Sequence, residues 1–217
     1  MAVPAAVFTR LVPEGGHWRV ETAAGTAIRA GAVVLTPPVP QALALLEAGV
    51  PPLPPEWRAR LAGLGYERCL AVLALLEGPS CLPDPGALAP ADGPIAWLAD
   101  NQRKGVSAEP AVTLHATPAF SLAHWEQDRG ESARHLLDAA APWLGTGVRS
   151  FQVHGWRFSR PWRADPAPCL ALAARPALVL AGDAWGGSGA EGAARSGWAA
   201  ARALLEEKSP ADPLPRA

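Results

Sequence analysis

The stretch "LVLAGDAWGGSGAEGAARSGWAAARALL" (Leu178–Leu205) decides the fold, because an apolar strand-like run leads through glycines into a helix-like run. Its residues Gly187, Gly189 and Gly192 match the spacing G-x-G-x-x-G of dinucleotide-binding loops. That fingerprint requires a second strand after the helix, with an acidic residue about 20 residues on. Here "EEKSPADPLPRA" follows the helix without a strand pattern, and "GDAWG" separates the first strand from the glycines. We therefore reject the match as a phosphate-binding loop.

The helix after these glycines has one face with almost no side chains. Ser188 and Glu191 fit the S-x-x-E capping box at its start. Glycine inside a helix costs roughly 0.5–1 kcal/mol relative to alanine, so we expect something to approach this face closely. The sequence leaves two explanations open, a neighbouring strand or a flat ligand at the positive end of the helix dipole. Small residues recur there at helical spacing: Gly189, Gly192 or Ala193, Ser196, Gly197 and Ala200.

Composition limits the class of protein. The 217 residues are 49% apolar and carry a net charge of -1, which suffices for one sizeable core or two small domains. Balanced charge argues against a nucleic-acid partner, because phosphate binding needs a basic surface. No apolar run reaches the roughly 18 residues of a membrane span, and no secretory signal is recognisable. Three cysteines without metal-ligand spacing predict a cytoplasmic protein with reduced thiols: Cys69, Cys81 and Cys169.

The hydrophobic pattern places short strands at both ends of the chain, around a middle block with its own strands and helices. "HWRVET" (His17–Thr22) alternates as a half-buried strand does. "AVVLT" (Ala32–Thr36) is continuously apolar, which predicts burial on both faces of a parallel sheet. Ser121–Gly145 is typical of one amphipathic helix. This order predicts a mixed α/β fold in which one domain interrupts another.

Part of the opening stretch resembles the C-terminal flavin segment of the FAD-dependent amine oxidases. In that family a Gly-Asp pair after the final strand precedes an "EGA..SG" helix, as Gly182, Asp183 and "EGAARSG" (Glu191–Gly197) do here. The resemblance extends over nearly the whole chain. Further segments are similar, in order, to the renalase-like branch of the family: Gly15–Thr22, Ala32–Leu46, Tyr66–Ser80, Pro94–Ser107, Val112–Gln127 and Gln152–Pro161.

The resemblance implies a partial two-domain FAD/NAD(P)-binding fold of the amine-oxidase and p-hydroxybenzoate-hydroxylase type. Residues 1–40 and 176–207 would be a remnant of the FAD-binding domain. Residues 41–175 would be a substrate-binding domain with an antiparallel sheet and helices, and residues 208–217 a flexible tail. The βαβ unit with G-x-G-x-x-G that opens the family's FAD-binding domain has no counterpart. A misplaced gene start, a separate chain that supplies this dinucleotide-binding unit, and a decayed remnant all stay open.

The resemblance also implies where FAD would be held. The family's counterpart of Asp183 lies beside the ribityl–phosphate part of FAD, and the helix start faces the pyrimidine end of the isoalloxazine. Flavin reduction puts negative charge near N1 and O2, which a helix N-terminus stabilises. Val7 stands where the family's backbone meets adenine. The predicted cofactor-binding residues are Gly182, Asp183, Glu191, Gly192, Ala193 and Val7.

Two short segments carry the side chains that we expect to contact a small-molecule substrate. These segments are "DNQRKG" (Asp100–Gly105) and "HGWRF" (His154–Phe158). The side-chain amides of the first can hydrogen-bond an amide group of the substrate. The cations Lys104 and Arg157 can bind phosphate or carboxylate, and Trp156 can stack on a planar heterocycle. The alternative is structural: a core tryptophan, solvated cations, and an asparagine that closes a turn. The predicted substrate-binding residues are Asn101, Gln102, Lys104, Trp156 and Arg157.

Four residues in the segment predicted as one amphipathic helix have side chains of the kind that bind metals. Two histidines and two carboxylates recur at helical spacing and have the chemistry of metal ligands. Such a pattern more often marks the wet face of an amphipathic helix, so we predict no metal. The four residues are His124, Asp128, Glu131 and His135.

The function implied by the resemblance is that of a FAD-dependent oxidoreductase. Hydride would pass from a reduced nicotinamide-like or amine substrate to the flavin, with O2 as the final acceptor, and the flavin would carry the chemistry. The alternative is a non-catalytic remnant, or a subunit that needs a partner chain to complete the FAD site.

Overall fold

A computed structural model describes residues 7–49, 53–187 and 189–206 of the chain. The tail predicted over residues 208–217 and the capping Ser188 lie outside these ranges. The chain packs into two compact units, one formed by residues 1–66 and 160–217 and the other by Glu67–Ser159. The sequence places the ends of the middle domain at residues 41 and 175. The packing instead assigns the residues up to Tyr66 to the first unit, because their side chains share its core.

A three-stranded antiparallel sheet opens the first unit, in the order β1 (Phe8–Glu14), β2 (His17–Thr22) and β3 (Ala27–Ala30). The predicted "HWRVET" strand is therefore confirmed. Its Trp18 is buried, and the indole Nε1 donates to the carbonyl oxygens of Pro176 at 3.1 Å and Ala177 at 2.9 Å. The indole thus ties the start of the chain to the strand near its end.

The second sheet of this unit contains a parallel pair of strands. Its order is β10 (Leu170–Ala174), β11 (Ala177–Leu180) and β4 (Ala32–Leu35), with β11 parallel to β4 and antiparallel to β10. All residues of β11 are buried. The expectation that β4 is buried on both faces is wrong, because β4 is an edge strand and Val34 is 39% exposed.

Three helices complete the first unit: α1 (Val39–Gly49), α2 (Pro55–Ala62) and α5 (Gly189–Glu206). Helix α1 follows directly on β4 and packs on β1. A Cβ added at Gly49 would lie 2.2 Å from the carbonyl oxygen of Leu11. The end of α1 thus lies directly against β1, and only glycine fits there.

The second unit is built on a five-stranded sheet in the order β6 (Ala87–Leu88), β7 (Ile95–Asp100), β8 (Ala111–Ala116), β5 (Gly65–Leu76) and β9 (Val148–Arg163). The strand pairs from β6 to β5 are antiparallel. One face of the sheet is apolar and packs on helices. The other face carries the half-exposed and polar side chains, as expected of an antiparallel sheet with one covered face.

Two helices, not one, follow β8. Helix α3 (Pro118–Ala123) begins after Thr117, and α4 (Arg129–Leu144) begins after Asp128. The Asp128 carboxylate accepts a hydrogen bond of 2.9 Å from the backbone N–H of Glu131, as an N-cap does. The prediction of a single helix over 121–145 is wrong, because this cap starts a new helix where the periodicity alone continues. In the described ranges, no helix is long and apolar enough to cross a membrane.

Candidate functional site

A cleft of about 470 Å³ opens at the carboxyl ends of β4 and β11 in the first unit. The two strands are parallel, so the segments that follow them meet at the same edge of the sheet. Ligands of open α/β sheets bind at such edges. The cleft is lined by Thr36, Pro38, Ala181, Gly182, Asp183, Gly189, Ala190, Ala193 and Gly197.

The turn after β11 has a conformation that requires glycine. Gly182 has φ +132°, and its N–H donates to the buried Oγ of Ser196 at 3.0 Å. The preceding N–H, of Ala181, donates to the carbonyl oxygen of Leu35 at 2.9 Å. One bond joins the turn to β4 and the other joins it to α5, so Asp183 projects from a firmly held turn.

The small residues of α5 form two stripes with different roles. Gly192, Ser196 and Ala200 are buried, and a Cβ on Gly192 would lie 1.8 Å from the carbonyl oxygen of Gly187. Gly192 is thus required by close approach of the protein's own backbone, although the approaching segment is a loop and not the neighbouring strand of the first explanation. The second stripe lines the cleft with little side-chain bulk: Gly189, Ala193 and Gly197.

The N-terminus of α5, the positive end of its helix dipole, lies at the cleft. Its first two residues, Gly189 and Ala190, line the cleft, and a Cβ at Gly189 or Gly197 would meet no atom within 4 Å. Free N–H groups and the helix dipole favour a ligand atom that bears negative charge there. The cleft is therefore suited to a flat ligand that becomes negative at one edge.

The structure brings together some of the predicted cofactor residues and separates others. Gly182, Asp183 and Ala193 line the cleft. Glu191 is exposed and pairs with Arg195 one turn along α5, and Gly192 is buried against Gly187.

Val7, which is predicted to lie beside adenine, is not among the residues that line the cleft. It stands just before β1, its side chain is 71% exposed, and its carbonyl oxygen accepts a hydrogen bond of 2.8 Å from Ala23.

Tyr66 is a residue of this site that the sequence reasoning missed. Its hydroxyl lies 3.3 Å from Asp183 Oδ1, to which it donates, and accepts from the backbone N–H of Val39 at 3.3 Å. Burial, with a contribution from the Asp183 carboxylate, raises the pKa of Tyr66 to about 12, so the phenol keeps its proton. The only signal was that the sequence contains a single tyrosine.

In the second unit, the predicted loop "DNQRKG" is a turn held by a buried carboxylate. Asp100 accepts hydrogen bonds from the Ser80 hydroxyl at 2.6 Å and the Arg103 N–H at 2.9 Å. Burial alone would raise the pKa of Asp100, but hydrogen bonds from Ser80 and from the backbone of Arg103 and Gln102 lower it. The carboxylate therefore stays ionised and fixes the turn that carries the candidate amides.

Both candidate amides make contacts within the protein. Asn101 Nδ2 donates to Thr113 Oγ1 at 2.9 Å, and Gln102 Nε2 donates to the carbonyl oxygen of Ala108 at 3.1 Å. Asn101 also lines a cleft of about 280 Å³, together with Leu73 and Gln152.

The exposed Lys104 follows these amides in the same turn. His115 on β8 is half-buried; burial and then the charge of Lys104 lower its pKa. The imidazole is therefore neutral at physiological pH.

Trp156 and Arg157 lie next to each other on β9, and both are exposed. Trp156 is 50% exposed, and its ring contacts that of His154 with centroids 4.2 Å apart. The alternation of burial that runs from Phe151 to Gly155 stops at this pair, so both side chains are open to solvent.

The four residues weighed as metal ligands lie on two separate segments. His124 follows α3, whereas Glu131 and His135 lie on α4. The Asp128 side chain is engaged in capping α4, and the rings of His124 and His135 are 5.8 Å apart in an edge contact. Within the residues described, no cluster of three or more such side chains could hold a metal ion.

The fold and the cleft define an α/β protein of the class that holds a nucleotide-derived cofactor at the ends of parallel strands. The sequence profile of the flavin-containing amine oxidoreductases matches residues 6–205. The chain belongs to this family, whose cofactor is a flavin. No protein in a search of curated sequences matches the chain.

Solved structures of similar fold include a putative protoporphyrinogen oxidase from Exiguobacterium sp. 255-15, with 19% identity, TM-score 0.62, and coverage of 92% of this chain and 46% of that one. Cyclohexylamine oxidase from Brevibacterium oxydans IH-35A has 18% identity, TM-score 0.61, and coverage of 92% and 48%. A putrescine oxidase double mutant has 14% identity, TM-score 0.64, and coverage of 92% and 48%. At these identities the likeness concerns the fold. The chain spans about half the length of these structures.

The residues at the cleft fit a flavin. The Gly189–Ala193–Gly197 stripe leaves room beside it for a flat ring system, and the α5 N-terminus suits the N1–O2 edge of a reduced isoalloxazine. Asp183 offers a carboxylate that can accept hydrogen bonds from ribityl hydroxyls. The G-x-G-x-x-G at 187–192 does not serve a pyrophosphate, because Gly192 is packed against Gly187.

Proposed function

We propose that this chain is the flavin- and substrate-contacting part of a FAD-dependent oxidoreductase of the renalase-like branch. The observation that carries the proposal is the cleft at the ends of β4 and β11, lined by Gly182, Asp183 and the small-residue stripe of α5. When bound, FAD would accept hydride from a reduced nicotinamide-like or amine substrate, and O2 would be the final acceptor, giving hydrogen peroxide.

The chain's own residues would orient the reactants. Asp183 would bind hydroxyls of the ribityl chain, and Gly182 and Ala193 would let the ring approach the backbone. The N-terminus of α5 would stabilise negative charge at the pyrimidine edge. None of these roles requires a proton-transferring side chain, which is consistent with simple hydride transfer.

For the substrate we propose contacts on the second unit. Asn101 and Gln102 lie on the turn fixed by Asp100, where their amides would hydrogen-bond an amide such as that of a nicotinamide. Trp156 would stack on a planar ring, since half of its surface is exposed. Lys104 and Arg157 would attract phosphate or carboxylate groups, each from its own position.

We propose a small-molecule substrate as the partner in the reaction, with no role for nucleic acid or membrane. The three cysteines are all unpaired, which supports the cytoplasmic location that we propose.

A second candidate is a subunit or remnant that becomes competent only with a partner. The observation that favours it is that β4 lies at the edge of its sheet with an apolar, partly exposed Val34. An edge strand presents backbone N–H and C=O groups to which a further strand can pair. A dinucleotide-binding unit, from a separate chain or a longer polypeptide, would extend the sheet at β4 and hold the FAD pyrophosphate.

Flavin binding by the purified chain tests the proposal. We expect FAD to raise the melting temperature and its fluorescence to be quenched, since a ligand bound by the native state stabilises it. Ala193→Leu fills the cleft and should weaken binding about tenfold or more, because it places a side chain in the ligand's space.

Ala194→Leu makes the same change at an exposed position of the same helix and should leave the affinity within about twofold. Equal affinity of the two variants would show that the flavin is not in this cleft. Binding that appears only after the opening dinucleotide-binding unit of a full-length family member is added would establish the second candidate. A chain that binds no flavin under either condition is a remnant.

A further inference from the structure

The Tyr66 hydroxyl joins the two walls of the cleft. Tyr66 lies on β5 at the edge of the first unit's core, and its hydroxyl bridges Val39 N–H, at the start of α1, and Asp183 Oδ1, after β11. Val39 follows the Thr36–Pro38 segment that lines one wall, and Asp183 lines the other. A single side chain therefore connects two of the three segments that line the cleft, the third being α5.

The chemistry of the partners decides which group donates in each contact. A backbone N–H can only donate, so the phenol oxygen of Tyr66 accepts from Val39. The phenol proton is then free to be donated to the Asp183 carboxylate. A carboxylate accepts about four hydrogen bonds, so the one from Tyr66 leaves capacity on Asp183 for ligand hydroxyls. The raised pKa of Tyr66, about 12, keeps this donor protonated at neutral pH.

We propose that Tyr66 is a positioning residue, whose hydroxyl fixes the Asp183 carboxylate for binding to the ribityl hydroxyls of the flavin. This inference rests on the proposed flavin site. Tyr66 itself need not touch the ligand, because it acts through Asp183. Both contacts are 3.3 Å, longer than the roughly 2.9–3.0 Å usual for N–H···O and the roughly 2.7–2.8 Å usual for O–H···O, so the expected effect is at most that of one ordinary hydrogen bond.

Riboflavin is the appropriate probe, because it has the isoalloxazine and the ribityl chain but neither phosphate nor adenine. Tyr66→Phe keeps the ring and its packing and removes only the hydroxyl. We expect this variant to bind riboflavin about threefold to tenfold more weakly, the loss of one hydrogen bond. Asp183→Asn should weaken binding at least as much, and the double variant should bind no worse than Asp183→Asn, because coupled residues are not additive.

If the two losses multiply in the double variant, Tyr66 does not act through Asp183 and the proposal is wrong. Unchanged riboflavin affinity in Tyr66→Phe overturns it as well. Asp138→Asn, an exposed aspartate of α4 in the other unit, is the matched control and should bind as the unsubstituted chain does.

A second measurement works without any flavin. Because Tyr66 is the single tyrosine of the sequence, a 13Cζ-tyrosine label gives one NMR resonance. We expect Asp183→Asn to shift this resonance at neutral pH, and Asp138→Asn to leave it in place. An unmoved resonance in Asp183→Asn removes the contact on which the inference is built.

The two measurements separate the failure of this inference from that of the proposed function. If the unsubstituted chain binds neither FAD nor riboflavin, with or without the added dinucleotide-binding unit, the flavin site is wrong and the ligand role of Tyr66 falls with it. If it binds riboflavin but Tyr66→Phe binds equally well, the flavin site stands and only the role of Tyr66 is overturned.

Discussion

Two glycines of α5 that look equivalent in the sequence differ in what surrounds them, and only one of the two positions requires glycine. Gly192 has the carbonyl oxygen of Gly187 1.8 Å from where its Cβ would lie, whereas Gly197 has open space there. Both are interior to the helix, so both carry the conformational cost of glycine. Only the contact with a neighbouring backbone distinguishes them, and helical spacing does not reveal it.

A matched pair of alanine substitutions tests this difference. Gly192→Ala should lower the free energy of unfolding by about 1–3 kcal/mol, because the methyl group overlaps the Gly187 carbonyl. Gly197→Ala should raise it by about 0.5–1 kcal/mol, since alanine favours the helix and meets nothing. Denaturant unfolding followed by circular dichroism gives both values, and shifts of the same sign would contradict the packing described for α5.

At the scale of elements, the region after β8 shows how a cap overrides periodicity. The apolar spacing continues through residues 121–145, but the chain leaves the helical path after α3 and re-enters it at Asp128. The carboxylate satisfies an N–H at the start of α4 that has no partner within the helix. The break also lets the rings of His124 and His135 meet with centroids 5.8 Å apart, whereas three turns of a continuous helix would hold them well apart.

Asp128→Ala distinguishes a cap from a position in mid-helix. We expect a loss of about 1 kcal/mol in the free energy of unfolding, as for other N-cap substitutions. If one helix ran through this point, alanine would be the better helix former and stability would rise. Glu126→Ala, in the exposed segment between the helices, is the control and should change stability by less than about 0.5 kcal/mol. Thermal and denaturant unfolding provide the measurement.

At the scale of the whole molecule, the chain consists of two units with separate cores, and it spans about half the length of the solved structures that it resembles. The first unit holds the cleft, and the second holds the candidate substrate residues. The mixed sheet of the first unit ends at β4, the edge strand at which we propose that a further strand pairs.

Val34→Lys tests whether a dinucleotide-binding unit pairs at this edge. A lysine on an edge strand opposes the addition of another strand, so binding of the unit supplied as a separate polypeptide should weaken by about tenfold or more. Isothermal titration calorimetry measures it. Val106→Lys changes an equally apolar, 72% exposed side chain in the other unit and should leave the affinity unchanged. Equal affinities for both variants would place the added unit elsewhere.

Much of the fold follows from local pattern. Strand β2 follows from its alternation and the glycine turn before it, and β11 and α5 follow from an apolar run and small residues at helical spacing. Such features depend on the chemistry of a few neighbouring residues, which the sequence states directly. Strand β4 was identified by the same means, but its exposure was not, because burial depends on which strands lie beside it.

The candidate site likewise contains residues that the sequence could identify and residues that it could not. Gly182 and Asp183 could be found because they follow an apolar strand in a fixed order. Tyr66 could not, since 117 residues separate it from the carboxylate that it contacts.

The sequence by itself determined the family resemblance, the strand–glycine–helix order at the end of the chain, and the residues Gly182, Asp183 and Ala193 as candidates. Tertiary structure alone decided that Gly192 serves packing, that β4 is an edge, and that Tyr66 bridges the two walls of the cleft. The physical reason is that local order follows from steric and hydrogen-bonding preferences of adjacent residues. Close approach, exposure and long-range hydrogen bonds arise only when distant segments pack together.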